Sequence, residues 1–107
     1  MHADSVIEVH TIPVGVVGLG LMGCSITTCL LMAGHPVVAI APIPGDLTTA
    51  PERIRHHLLR SYQEGLTQQD PQQLYSRLVL SEDYNSLKAS QLVIECTLEN
   101  MEVKKSV

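Results

Sequence analysis

Three glycines at positions 18, 20 and 23 give the spacing Gly-x-Gly-x-x-Gly directly after a short apolar run. An apolar strand, a glycine turn and a helix, in that order, form a motif that binds pyrophosphate. Gly18 allows the tight turn, Gly20 lets the backbone approach a phosphate without a Cβ, and Gly23 lets the helix pack closely on the strand. The spacing therefore favours a dinucleotide site over a glycine-rich turn without a ligand.

The anion is expected at the beginning of the predicted helix, where backbone N–H groups and the positive end of the helix dipole meet. A positive φ at Gly20 would give that position a further reason to be glycine. The predicted binding residues of this turn are Gly18, Leu19, Gly20, Leu21, Met22 and Gly23.

The elements that must position this turn alternate between strand and helix. After a tail at residues 1–11, strands are predicted at residues 12–18, 36–41, 78–80 and 92–96, and helices at residues 21–33, 51–64 and, more briefly, after the N-cap Asp70. This order predicts an α/β fold, a Rossmann-like doubly wound and mostly parallel sheet with a helical hairpin after the second strand. One dinucleotide-binding domain is expected over residues 12–107, incomplete at its C-terminus.

Several finer expectations concern the ends and faces of these elements. Asp46 or the pair Thr48 and Thr49 is expected to cap the second helix. Its buried face is predicted to carry Ile54, Leu58 and Leu59. Residues 83–89 read as a turn or brief helix, and Asn100 is expected to begin a last helix that reaches Val107. The strand at 91–96 is expected to lack its next neighbour in the sheet.

Composition excludes several classes of function. The 107 residues are 45% hydrophobic and 17% charged, as in a small globular domain. A net charge of −4 and the absence of Trp and Phe argue against nucleic-acid binding. The N-terminus shows no secretory signal, so a cytoplasmic location is expected. Cys24, Cys29 and Cys96 form no metal-ligand or redox pattern and are expected to be small buried side chains.

A second block of residues is more specific than the glycines. From Glu95 to Lys104 the chain reads Glu-x-x-x-Glu-Asn-x-x-x-Lys, and an Ala-Gly-His-Pro turn at residues 33–36 precedes the second strand. With the glycine motif and the hairpin at residues 51–76, these features resemble the NAD-binding domain of 3-hydroxyacyl-CoA dehydrogenases, from Pro13 to Val107.

The resemblance implies a function for the parent protein. It implies NAD as cofactor, with Glu99 and Lys104 at the nicotinamide end, and an acyl-CoA substrate interconverted between its 3-hydroxy and 3-keto forms in fatty acid metabolism. It also implies a homodimer. No membrane partner is expected, because the apolar run at residues 19–34 is shorter than a bilayer span requires. The catalytic His–Glu pair of the family belongs beyond Val107, so the chain is expected to be an N-terminal piece that is inactive alone.

Two departures from the family pattern stand out. Ala41 occupies the end of the second strand, where the family has an acid that binds the adenosine ribose, and the nearest acid is Asp46. No Arg or Lys lies beside Ala41, as a 2′-phosphate would require. In the hairpin, His57 and Glu64 replace the Ser and Lys that the family places against CoA, with Arg53, Arg55 and Arg60 nearby.

Two other interpretations stay open at this point. One is a degenerate Rossmann module with a binding or assembly role, suggested by these departures. The other is an NAD(P) domain of the β-hydroxyacid dehydrogenase type, which shares the glycines and the Ala-Gly-His turn. That family lacks the long hairpin and the Glu-Asn-x-x-x-Lys block, so the residues from Arg53 onward argue against it.

Overall fold

A computed structural model describes residues 12–43, 45–96 and 101–105, with residues 101, 102, 104 and 105 described by their backbone alone. The elements in chain order are β1 (Val14–Val17), α1 (Leu21–Met32), β2 (Val37–Ile40), α2 (Asp46–Gln63), α3 (Pro71–Tyr75), β3 (Leu78–Ser81), a 3₁₀ helix (Tyr84–Ala89), β4 (Leu92–Cys96) and β5 (Met101–Lys105). No helix in the described part of the chain is long and apolar enough to cross a membrane.

The strands form one sheet in the order β3-β2-β1-β4-β5. The first four strands are parallel, and β5 runs antiparallel to β4. The central strand β1 pairs Val14 with both Val37 of β2 and Leu92 of β4. Val16 of β1 and Ala39 of β2 are fully buried, as continuous apolar strands covered on both faces must be. The predicted α/β class and mostly parallel sheet are confirmed.

Helix α1 begins and ends as the sequence predicts. It follows the glycine turn and stops before Gly34, whose φ of 101° lies in the left-handed region that favours glycine. The N–H of Gly34 donates to Leu31 O and that of His35 to Leu30 O, which closes the helix end. The ring N–H at Nδ1 of His35 donates to the carbonyl oxygen of Ile12 at 3.0 Å. This bond ties the turn after α1 to the approach to β1.

Helix α2 begins earlier than predicted. It starts at Asp46, five residues before Pro51, and its N-cap is Gly45 with a φ of 96°. Gly45 O accepts bonds from the N–H groups of Thr48 and Thr49, at 3.0 and 3.2 Å, so the first turn forms without a side-chain cap. The predicted caps at Asp46 or Thr48 and Thr49 are therefore wrong. Pro51 lies within the helix and has no backbone N–H, so one helical hydrogen bond is not formed there.

The end of the described chain differs most from the prediction. Residues Met101–Lys105 form β5, not the helix expected after Asn100, and pair with β4 from Cys96↔Met101 to Leu92↔Lys105. Strand β4 is thus paired on both sides, contrary to the expected unpaired edge. Hydrogen bonding along β4 satisfies backbone groups in both strands, and this tertiary gain outweighs a local helix signal.

The core lies between the sheet and the layer formed by α1 and α2. Ala50, Ile54 and Leu58 of α2 are fully buried, four residues apart, and lie in one cluster with Leu31 of α1. Leu59 is 46% exposed, so the prediction that it belongs to the buried face is wrong. The physical reason is the helical turn of about 100° per residue, which carries Leu59 away from Leu58.

Leu58→Ala should lower the free energy of unfolding by about 2–5 kcal/mol, because it leaves a cavity in the core. Leu59→Ala is the matched control, with the same change of side chain on the same helix, and should cost about 1 kcal/mol or less. Urea denaturation followed by circular dichroism measures both. Equal losses in the two variants would contradict the assignment of the buried face.

Candidate functional site

An open cleft of about 930 Å³ lies at the carboxyl ends of the parallel strands. The glycine turn forms one wall, the β2–α2 segment a second, and the 3₁₀ helix with the end of β4 a third. The described residues that line it are Val17, Gly18, Leu19, Gly20, Leu21, Met22, Gly23, Pro42, Ile43, Asp46, Arg53, Tyr84, Glu95 and Cys96. Ligands of open α/β sheets bind at this edge of the sheet.

Two of the three motif glycines are required by the protein's own backbone. Gly18 has a φ of 99°, and a Cβ there would collide with the carbonyl oxygen of Cys96 in β4. A Cβ at Gly23 would fall on the carbonyl oxygen of Gly18. These contacts agree with the turn and the close helix packing predicted from the spacing.

Gly20 differs from both. Its φ of −73° and ψ of −159° are open to any residue, so a need for positive φ at this position is ruled out. A Cβ at Gly20 would meet no protein atom within 4 Å, although the residue lines the cleft. Neither backbone strain nor packing explains this glycine. A group occupying the cleft would explain it.

The beginning of α1 faces the same cleft. Its first helical bond is donated by Cys24 N–H to Gly20 O at 3.0 Å. The N–H groups of residues 21–23 therefore precede the hydrogen-bond ladder of the helix, where an anion is stabilised. Leu21 and Met22 are 71% and 46% exposed, so this end of α1 is open to a ligand.

Ala41 and Asp46, the residue at the end of β2 and the acid nearest to it, have different surroundings. Ala41 is 2% exposed, packs in the core and does not line the cleft. Asp46, in the first turn of α2, does line it. Asp46 therefore borders the cleft, whereas the methyl group of Ala41 is buried in the core. The early beginning of α2 brings this about.

The three arginines of α2 have different surroundings. The Cζ of Arg55 lies 4.5 Å from the centroid of the Tyr75 ring. Arg60 Nη2 lies 3.3 Å from Glu64 Oε2 in an exposed ion pair. Arg53 lines the cleft. The sequence alone did not predict that Arg53 lines the cleft. Residues seven apart lie on the same face of a helix, so a correct prediction of the helix start would have placed Arg53 on the face that carries Asp46.

The thiols divide into two buried and one exposed. Cys24 and Cys96 are buried as predicted, but Cys29 is exposed, so that expectation was wrong for Cys29. Burial raises the pKa of the Cys24 thiol, and the charge and hydrogen bond of the nearby Arg53 lower it by less. Burial also raises the pKa of Cys96. Cys24 Sγ lies 3.4 Å from the carbonyl oxygen of Leu19, to which it donates.

Of the two predicted residues at the nicotinamide end, one is outside the described residues and the other is described by its backbone alone. Glu99 lies outside the described residues. The backbone of Lys104 lies in β5 opposite Val93, and its side chain is outside the description. Their contacts with the nicotinamide end stay predictions. In the described part of the chain, no group of three or more His, Cys, Asp or Glu residues is placed to hold a metal ion.

Among the known proteins that this chain resembles are dehydrogenases of 3-hydroxyacyl-CoA compounds. The family model described as "3-hydroxyacyl-CoA dehydrogenase, NAD binding domain" matches residues 13–107. A probable 3-hydroxyacyl-CoA dehydrogenase of Bacillus subtilis is 31% identical over 92% of this chain and 15% of its own length. A 3-hydroxybutyryl-CoA dehydrogenase of Mycobacterium tuberculosis is 34% identical over 88% of this chain and 33% of its own.

Solved structures agree in fold. The (S)-3-hydroxybutyryl-CoA dehydrogenase of Ralstonia eutropha superposes with a TM-score of 0.73 at 30% identity, over 84% of this chain and 32% of that one. The 3-hydroxybutyryl-CoA dehydrogenase of Escherichia coli gives a TM-score of 0.72 at 28% identity, over 84% of this chain and 19% of that one. The chain thus spans a third or less of the length of each of these relatives.

Thiol labelling should separate the cysteines. Cys29 should react with a chromogenic disulfide reagent within the mixing time, because it is exposed, whereas Cys24 and Cys96 should react more slowly by about tenfold or more. As the pH is raised, the reaction rates of the two buried thiols should continue to increase beyond the ordinary cysteine pKa range, since their pKa values are raised. Denaturant should make all three react together. Fast labelling of Cys24 in the native protein would contradict its burial.

Proposed function

Because the chain belongs to the 3-hydroxyacyl-CoA dehydrogenase family through its NAD-binding domain, we propose that its cleft binds NAD. We further propose that it serves as the cofactor-binding part of an oxidoreductase that interconverts 3-hydroxyacyl-CoA and 3-ketoacyl-CoA. NAD, when bound, accepts or supplies the hydride. The residues of this chain bind and orient it.

Gly20 is the observation that carries the proposal. It lines the cleft, its backbone tolerates any residue, and a side chain there would project into unoccupied space. A ligand whose atoms occupy the space that a Cβ would take explains glycine at such a position. The N–H groups of residues 21–23 supply donors beside it, which suits the pyrophosphate of a dinucleotide.

The ribose is assigned to the opposite wall. Asp46 lies where α2 begins, beyond the carboxyl end of β2, and it lines the same cleft as Gly20. A carboxylate at this edge of the sheet accepts hydrogen bonds from ribose hydroxyls in dinucleotide-binding domains. We propose that Asp46 takes the role that the family gives to the acid at position 41.

Other expectations remain proposals for the parent protein. An acyl-CoA substrate, a homodimer and a place in fatty acid metabolism come from the family relationship. Glu64 is engaged by Arg60, so the hairpin offers no evident counterpart of the family's CoA contacts at that position. A cytoplasmic location stays a prediction, and one relative is named a peroxisomal bifunctional enzyme. No catalytic residue is assigned to this chain.

Gly20→Val should abolish measurable NADH binding, because its side chain would occupy the space required for the pyrophosphate. Isothermal titration calorimetry measures the affinity, and thermal unfolding checks that the variant is folded. Gly23→Ala is the contrast, since a Cβ there meets the Gly18 carbonyl and should reduce stability by about 1–3 kcal/mol. Unchanged NADH affinity in folded Gly20→Val would refute the phosphate site. Failure of the wild type to bind NADH would favour a degenerate module with a binding or assembly role.

Asp46→Asn should weaken NADH binding roughly tenfold, because a charge-assisted hydrogen bond to the ribose becomes a neutral one. Glu52→Gln is the matched control, because it removes the same charge from an exposed position of the same helix. The same calorimetric titration measures both variants. Equal affinities for Asp46→Asn and the wild type would assign ribose recognition to another residue.

A further inference from the structure

Arg53 is a cation in a cleft whose proposed occupant is an anion. Among the described lining residues it is the one basic side chain, beside the acids Asp46 and Glu95. It is half-buried, and the ion pair found in the described part of the chain joins Arg60 to Glu64. Among the described side chains, no carboxylate lies within ion-pair distance of the Arg53 guanidinium at the cleft wall.

The position of Arg53 on α2 directs it toward the glycine turn. It lies seven residues after Asp46, about 10 Å along the helix axis and on the same face. Side chains of a helix lean toward its N-terminus, which for α2 is the edge of the sheet where the cleft lies. The guanidinium comes close enough to Cys24 to influence its thiol. Cys24 directly follows Gly23, so the charge lies beside the beginning of α1.

We propose that Arg53 binds a phosphate group of the nucleotide in this cleft, an inference that rests on the proposed function. A guanidinium presents parallel N–H donors that match two phosphate oxygens, and it stays charged at any physiological pH. The Cys24 thiol, with which Arg53 interacts, is a weak hydrogen-bond acceptor and carries no charge that would balance the guanidinium. The nucleotide would then be held between the N–H groups of α1 and the side chain of Arg53.

Two phosphates of a dinucleotide fit this chemistry. One is the pyrophosphate, present in NADH and NADPH alike, and the other is the 2′-phosphate that only NADPH carries. Ala41 leaves no acid at the end of β2 to repel a 2′-phosphate, whereas Asp46 supplies one nearby. Titration with NADH and with NADPH distinguishes the two sources.

The test titrates wild type, Arg53→Gln and Arg53→Lys with NADH, NADPH and adenosine by calorimetry. Arg60→Gln is the matched control: it removes the same charge from an exposed position seven residues further along α2. Arg53→Gln should lose about tenfold or more in affinity for a phosphate-bearing nucleotide. Arg53→Lys should lose less, because it keeps the charge without the paired donors. Thermal unfolding checks that each variant is folded.

Each outcome of these titrations supports or overturns a contact between Arg53 and a phosphate group. Equal losses for NADH and NADPH support a pyrophosphate contact, and a loss confined to NADPH supports a 2′-phosphate contact. The wild-type affinity should also fall more steeply with salt than that of Arg53→Gln, which a purely structural role would not produce. Unchanged affinities, or an equal loss for adenosine, would overturn the proposal. Since wild-type NADH binding is measured alongside, failure of this inference is distinguishable from failure of the proposed function.

Discussion

The structure depends on a backbone contact between the two ends of the glycine turn. The carbonyl of Gly18 lies so close to Gly23 that no side chain fits between the strand exit and the first turn of α1. The N–H of Gly18 donates to Ile40 O at 2.8 Å, which joins the turn to β2. The carbonyl of Cys96 approaches Gly18 from β4. Three parallel strands thus meet at one turn, and α1 can begin only where their carboxyl ends converge.

The chemistry of the cleft follows from that convergence. Once α1 begins at the sheet edge, its unpaired N–H groups face outward and favour an anion. The loop after β2 then leads into α2, whose first turns place Asp46 and Arg53 on the opposite wall. A carboxylate can accept hydrogen bonds from the ribose hydroxyls of a nucleotide, and a guanidinium can bind its phosphate. Helix α2 forms this wall, and its N-cap is Gly45, a glycine with a left-handed backbone.

The departures from the family pattern take on a physical meaning in this arrangement. Position 41 belongs to the core, where the methyl group of the alanine is buried. The polar side chains Asp46 and Arg53 lie further along the chain, on a helix face that borders the cleft. In the hairpin, Glu64 is balanced by Arg60 and Arg55 stacks on Tyr75, so two of its three arginines serve local structure. The third belongs to the cleft.

The sequence by itself determined the fold class, the glycine turn, the parallel strands and the end of α1, because these follow from local spacing and from apolar runs that must be buried. Tertiary structure decided the rest. Pairing with β4 made a strand of Met101–Lys105, since backbone hydrogen bonds to a distant segment outweigh local preference. The placement of Asp46 at the same cleft as the glycine turn, and the exposure of Cys29, likewise depend on which faces of α1 and α2 pack together. Contacts between residues far apart in the chain fix those faces, and no local pattern encodes them.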